Sequence, residues 1–303
     1  MKQVTVTIPA TTANLGPGFD CLGLALGLYN QVTFSRREGG LKVTVEGEGA
    51  DIIPQDETNL VVQAAACLFA ESSLPLPDFH IHQLNRIPVS SGLGSSAAAI
   101  LGGIMAAGAF LPTPPTQLEI LRLATRIEGH PDNITPALLG GLTLIVQEQQ
   151  ELYVERIDIP AFLVIVVLPE FDFPTSTARR VLPSQISRQD AIFNASRLAL
   201  LIRALQSGDM AALRIAMQDR IHQPYRLPLI PGMTEALAAL QAAGAAAALS
   251  GAGPALLAIA PDNYMEIAGL AADAFAAAGL KTRTWVLPVD ARGSVVQTQG
   301  GIR

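Results

Sequence analysis

Charge is scarce in this chain. Asp, Glu, Lys and Arg make up 15% of the 303 residues and half of all residues are hydrophobic, whereas an ordinary soluble protein is about 25% charged. The mean hydropathy is +0.36. This composition excludes intrinsic disorder and makes a membrane protein worth testing. A spanning helix needs about 20 predominantly apolar residues in a row, and such runs are missing too. The longest uncharged stretch, 87–118, opens on Pro88, Ser90, Ser91, Gly92, Gly94, Ser95 and Ser96 and closes on Pro112, Pro114 and Pro115. A second stretch, 236–261, is mostly alanine and is cut by Ser250-Gly251-Ala252-Gly253-Pro254. No membrane association is expected.

Cysteine is nearly absent. Cys21 and Cys67 form neither a disulfide framework nor a metal spacing, and both are expected to be buried small hydrophobes. Positive charge is not in excess: the net charge is −6 and the pI is near 5.2, so there is no nucleic-acid footprint. The N-terminus, Met-Lys-Gln-Val-Thr-Val-Thr-Ile, has no basic region followed by an apolar one. No secretory signal is expected, and the location is expected to be cytoplasmic.

What is present reads as an α+β chain with strands first and helices interleaved later. Alternation predicts a strand over 2–8 and a possible hairpin of 30–35 with 41–46 across Gly39-Gly40. Asn59 caps a helix over 60–70, and a strand follows over 79–84. On that strand His80 and His82 share a face that reads as exposed and polar, with no third metal ligand near in sequence. A small-residue helix follows over 95–110, then one over 116–127 whose Thr116 and Glu119 have capping-box spacing. Strands are expected over 142–146 and 162–168. Four helices over 190–206, 210–218, 234–243 and 264–278 alternate with short strands at 246–249, 255–260, 282–287 and 294–298. A boundary near residue 158 would make two lobes.

The most informative segment is Pro88-Val89-Ser90-Ser91-Gly92-Leu93-Gly94-Ser95-Ser96-Ala97-Ala98. Its glycines let backbone approach a ligand closely, and the helix that follows aims its N-terminal amides at the loop. Such a loop is a ready anion site, with phosphate the natural guest. It is not a Walker A loop, because no lysine stands near it. Gly92-x-Gly94-x-x-Ala97 also resembles a dinucleotide fingerprint, but the next acid, Glu119, stands 27 positions after Gly92 in a helical pattern and beyond three prolines. That context is wrong for a dehydrogenase. Three further polar or glycine-rich turns interrupt the apolar elements: 9–20, Glu128-Gly129-His130-Pro131-Asp132-Asn133, and 250–254. Function concentrates in loops of this kind.

On these segments the chain resembles the GHMP superfamily of small-molecule kinases and, within it, the homoserine kinase family. The marks are Ala13-Asn14-Leu15-Gly16-Pro17-Gly18-Phe19-Asp20, the 88–98 loop, Glu128 to Asn133 running on into 136–141, and Tyr225-Arg226 ahead of 229–232. The resemblance implies a two-lobed fold, with an N-terminal ribosomal-S5-like, ATP-binding lobe over 1–157 and a C-terminal ferredoxin-like lobe over 158–303, the last strand free to return to the first lobe. It also implies that ATP and L-homoserine give O-phospho-L-homoserine and ADP, a step toward threonine, and that the protein is a homodimer. By the same resemblance Pro88 to Ala98 wrap the ATP phosphates, Ser95 and Glu128 hold Mg2+, and Asn59 lies in the adenine pocket. Asn14, Asp20, His130 and Asn133 line the homoserine pocket, and Arg179 and Arg226 bind its carboxylate, with Thr175 close by. Asp132 and Asn133 orient the hydroxyl. Ala252 stands where many relatives carry serine, so a hydroxyl contact is lost there while the turn is expected to survive.

The chemistry of the residues agrees with those roles. A carboxylate suits the planar fork of arginine. An ammonium suits the acceptors of Asp20 and Asn14. A hard cation takes oxygen from one or two carboxylates together with substrate phosphates. Taken alone, Arg179 and its neighbour Arg180 would read as solvated helix arginines. Another small-alcohol kinase of the superfamily and a non-catalytic nucleotide sensor are the rival readings.

Overall fold

The computed structural model describes residues 3–149 and 151–299. Lys2, the expected start of the first strand, and the outermost residues of the two expected lobes lie outside them. The first two strands, β1 (Gln3–Asn14) and β2 (Gly18–Arg36), form a long antiparallel pair. β1 alternates half-buried and buried residues up to Ile8 and is buried from there to Asn14, which carries its inner end into the body of the protein. The predicted 30–35 strand is only the tail of β2. Gly18, Gly23 and Gly27, which look like strand breakers, lie within β2 at close approaches. A Cβ on Gly23 would stand 2.0 Å from the carbonyl oxygen of Asp132.

The hairpin expected across Gly39-Gly40 does not form. β3 (Lys42–Gly47) runs parallel to β4 (Phe79–Asn85), and β4 lies between β3 and β2. The helix joining them, α1 (Leu60–Glu71), is the crossover that a parallel neighbour requires. Asn59 caps it, accepting the amide of Val61. His80 and His82 are half-buried on β4, and both meet the Thr44 hydroxyl of β3, at 3.1 and 3.0 Å.

Helix α2 (Ser95–Gly108) is buried on nearly every side. Its glycines make this possible: a Cβ on Gly103 would lie 2.3 Å from the Val61 carbonyl oxygen of α1. A helix apolar all round belongs in a core, and this accounts for the long uncharged run. Then come α3 (Gln117–Glu128) with the expected capping box, α4 (Ile134–Leu139), β5 (Leu142–Glu148) and β6 (Glu151–Ile157). β5 adds to β2 at Leu22–Leu24 and β6 pairs with β5, giving six of the seven strands of the first sheet.

The second lobe runs β7 (Leu163–Pro169), α5 (Thr175–Arg180), α6 (Arg188–Ser207), α7 (Met210–Ala216), α8 (Gln223–Arg226), α9 (Met233–Ala242), β8 (Ala246–Leu249), β9 (Leu256–Ile259), α10 (Tyr264–Ala277) and β10 (Thr282–Pro288). Its four strands lie in the order β10-β7-β9-β8, all antiparallel. This is the ferredoxin-like arrangement. The alanine-rich stretch is thus α9, β8 and the turn into β9, and Ala246–Leu249 is wholly buried. No helix among the described residues is long and apolar enough to cross a membrane.

After β10 the chain returns. Asp290 exchanges backbone hydrogen bonds with Ala25 and Gly141, and β11 (Val295–Gln299) pairs antiparallel with β1. The cysteine expectation needs correction. Cys21 is half-buried and Cys67 is exposed on α1, because position 67 falls on the outer face of a helix whose inner face is Val61, Ala64, Ala65 and Leu68.

Candidate active site

A cavity of about 480 Å³ opens where the loops of the two lobes meet. Its wall includes Asn14, Asp20, Asn59, Val89, Ser90, Ser91, Gly92, Gly94, Ser95, Ser96, Glu128, His130, Asp132, Asn133, Thr175, Arg179 and Arg226. Residues scattered over 212 positions of chain therefore share one space. Pro88, Leu93, Ala97 and Ala98 do not line it. They are buried behind the loop, so what they bring to this region is packing and backbone.

The loop is held by backbone geometry. Ser90, Gly92 and Gly94 all have positive φ, at 54°, 79° and 72°. A Cβ on Gly92 would lie 2.4 Å from the Ser250 carbonyl oxygen, and one on Gly94 would lie 2.0 Å from Thr11 Oγ1. Neighbouring segments tie it down: Thr11 N donates to Leu93 O, Ala255 N to Ser91 O, and the Ser250 hydroxyl meets Gly92 O at 2.8 Å. The turn at 250–254 survives with Ala252 in it, and Ala252 faces the cavity. Gly94 occupies the N-cap of α2 without a side-chain cap, so the first amides of this helix are open to an anionic guest. Among the described residues no lysine lines the cavity.

At one end Asn59 is fixed three ways: Nδ2 donates to Pro54 O, and Oδ1 accepts from Val61 N and Gln83 Nε2. Ile53, Pro54, Thr58 and Leu60 complete this corner. Beside α2 lies an acidic corner. α3 stops at Glu128 because Gly129 adopts φ 90°, and the Ser96 hydroxyl donates to Glu128 Oε1 at 2.5 Å. Ser95 lines the same wall, but its neighbour makes this contact. Burial raises the Glu128 pKa above the ordinary carboxyl value and Asp132 adds to the rise, while Ser96 and His130 oppose it. His130 Nδ1 meets Asp132 Oδ1 at 2.8 Å. Burial works against a charge on His130, but the bond and charge of Asp132 prevail and its pKa is raised. Asn133 accepts the Thr11 hydroxyl.

The far end is charged. Thr175 and Arg179 stand one turn apart on α5. Arg179 makes a two-pronged pair with Asp20, at 3.1 and 2.9 Å. Both side chains are about one-third exposed. Arg226 is only 1% exposed. Its Nε donates to Ala178 O, and its Nη1 faces Gly251 O and His222 Nδ1. Burial, together with the charge of Arg179, brings its pKa down to about 10. Asn14 has a positive φ of 72°. Both ends of its amide are engaged, with Nδ2 on Gly251 O and Oδ1 on Asp20 N. It therefore fastens the two lobes together beside Asp20.

Four participants went unrecognised in the sequence. Thr11 lies under Gly94, Phe19 lies beneath both guanidiniums at 5.2 and 6.0 Å, and His222 and Asp219 support Arg226. Thr11 and Phe19 belong to the 9–20 turn that sequence reading marked. A lone histidine four residues before Arg226 carries no such signal.

A lysine-free glycine-rich loop at the head of a helix, facing paired charges across two α+β lobes, suits a GHMP-type small-molecule kinase. The family model for the GHMP kinases N terminal domain matches residues 59–141 and that for the GHMP kinases C terminal matches 201–276. The chain is 43% identical to a homoserine kinase of Synechococcus over 98% of this chain and 99% of that one. It is 42% identical to one of Moorella thermoacetica, over 96% and 99%. It therefore belongs to the homoserine kinase family. Among solved structures, homoserine kinase from Cytophaga hutchinsonii superposes with a TM-score of 0.85 at 29% identity, covering 97% of each chain. L. major mevalonate kinase shares the fold, with a TM-score of 0.69 at 17% identity over 93% of this chain and 94% of that one.

Proposed function

We propose that this cavity transfers the γ-phosphoryl group of ATP to the side-chain hydroxyl of L-homoserine, giving O-phospho-L-homoserine and ADP. One observation carries the reading: the open N-terminus of α2 and the Asp20, Arg179 and Arg226 cluster face the same space. The first suits phosphates and the second a zwitterion. The loop 88–98 cradles the phosphates with backbone amides, and the Asn59 corner receives the adenine. Arg179 and Arg226 take the substrate carboxylate, with Thr175 beside them. Asp20 takes the ammonium, and Asn14 holds Asp20 in place. Asp132, engaged by His130, and Asn133 orient the hydroxyl.

The hydroxyl oxygen attacks the γ-phosphorus in line, the bond to the β,γ-bridging oxygen breaks with its electrons leaving on ADP, and the hydroxyl proton is released. Phosphoryl transfer asks a protein mainly for positioning and charge stabilisation, which is what these residues offer. The donor set beside the loop, a carboxylate and hydroxyls, suits Mg2+. Glu128 and Ser95, with Ser96, would hold it, and the bound ion neutralises charge on the phosphates. The lobe boundary near residue 158, the homodimer, the cytoplasmic location and the lack of a nucleic-acid partner belong to this proposal as well; sedimentation tests the dimer.

A coupled ADP-release assay decides the main point. ADP production that depends on homoserine, and is much weaker with serine, threonine or mevalonate, is expected. Nucleotide binding with no homoserine-dependent turnover would replace the kinase by a sensor.

A further inference from the structure

The hydrogen bonds behind Arg226 lead to His222. This residue precedes α8 and is fully buried. Its Nε2 lies 2.8 Å from the Gly16 carbonyl oxygen and its Nδ1 lies 3.3 Å from Arg226 Nη1. A carbonyl only accepts and a guanidinium only donates. The ring therefore carries its proton on Nε2 and turns the Nδ1 lone pair toward Arg226, which makes it neutral. Burial lowers the His222 pKa and Arg226 lowers it further, against the pull of Asp219. The ring stacks on Phe19, with centroids 5.2 Å apart.

The support beneath is equally complete. Asp219 is fully buried, and its carboxylate accepts the amides of Ile221, His222 and Gln223 and the side chain of Asn194. It thereby fixes the backbone from which both His222 and Arg226 project. With Nε and Nη1 of Arg226 held by protein acceptors, Nη2 is the nitrogen left to meet an anion.

We propose that His222 is a positioning residue for substrate recognition: its neutral ring holds Arg226 at the angle that offers Nη2 to the substrate carboxylate, and through Gly16 it ties that arginine to the loop bearing Asn14 and Asp20. The proposal rests on the reading of Arg226 as a carboxylate ligand. An ordinary core histidine takes whatever partners its neighbourhood provides. The two bonds of this one go to the two segments that meet the substrate, one from each lobe. Replacing it with an apolar ring strands the Gly16 carbonyl and one hydrogen of Arg226 Nη1, and buried groups left without partners are costly.

Three variants and a cycle test it. His222→Phe keeps the stack on Phe19 and removes both bonds. His222→Asn keeps an acceptor where Nδ1 stood, toward Arg226. His222→Gln keeps a donor where Nε2 stood, toward Gly16. His222→Phe should raise KM for homoserine about tenfold or more and leave KM for ATP within about twofold, and His222→Asn should recover more of that loss than His222→Gln. Parallel rises in both KM values, or equal losses from Asn and Gln, would overturn the proposal. If His222→Phe does not fold, the comparison of Asn with Gln decides alone. In an Arg226→Lys background the His222→Asn and His222→Gln changes should become indistinguishable in KM for homoserine, and a persisting difference counts against the proposal. An Arg226→Lys single variant with unchanged homoserine KM would sink the reading of Arg226, and this proposal with it.

Discussion

The two ends of the cavity offer an anion different partners. Around Ser90 to Ser96 no lysine or arginine among the described residues lines the cavity; what faces it is backbone, hydroxyls and the head of α2. Around Arg179 and Arg226 there are two guanidiniums, an acid paired with one of them and an aromatic ring beneath both. Open amides are fixed in direction and cannot swing away, so they suit a group that must be stabilised while it moves. Guanidiniums bind the planar carboxylate of a ligand that stays whole. The charged end is also one that can pair internally, as Asp20 and Arg179 do. A zwitterion can exchange with that pair one charge at a time, and a neutral alcohol has nothing to exchange with it.

The contrast can be broken from either side. The largest effect is expected from Gly92→Ala. The added Cβ meets the Ser250 carbonyl oxygen at 2.4 Å in a backbone of φ 79°, so the loop has to move, and kcat/KM for ATP should fall by about 100-fold or more in steady-state assays. Arg179→Ala comes next. KM for homoserine should rise at least about tenfold with KM for ATP nearly unchanged; equal rises would show that the two ends do not divide the labour. Glu128→Gln should flatten the pH dependence of the magnesium requirement. In the parent the raised pKa lets a proton compete with the ion, so less Mg2+ should be needed as the pH rises through that value.

The smallest effect concerns His130. Its folded pKa is raised, so the stability it gains from Asp132 is complete below its unfolded value near 6.5 and is lost as the pH rises through the folded value. Asp132→Asn should remove that decline from a plot of Tm against pH, and should lower the midpoint of His130 in an NMR titration.

How much of this was legible depended on how local the signal was. The capping box of Thr116 and Glu119 and the αL stop at Gly129 lie within a turn of the helix end they define, and α3 was read correctly. The loop at 88–98 was legible for the same reason. The extent of β2 was not, because Gly18, Gly23 and Gly27 look like breakers until the segments packed on them are seen. The partner of β3 was not either, because a crossover through α1, and not the nearby Gly39-Gly40, decides it. β6 went unseen as a mostly exposed edge strand with charges at Glu151 and Glu155. The self-pairing of Asp20 with Arg179 joins positions 159 residues apart, and Arg179 alone reads as a solvated helix arginine. The bonds of two lining residues were equally out of reach: Asn14 reaches Gly251 across the lobes, and the Glu128 carboxylate is met by Ser96.

The return of β11 to β1 bears on the order of synthesis. β1 carries Thr11 and Asn14 at its inner end, yet its outer half is flanked on one side by Val295 to Gln299, made some 290 residues later. Until those residues emerge, Gln3 to Thr7 present an unpaired row of amides and carbonyls, the kind of edge that recruits a stranger's strand. A pairing so distant in sequence is also slow to form. The nascent first lobe therefore keeps one open edge until β11 docks on β1.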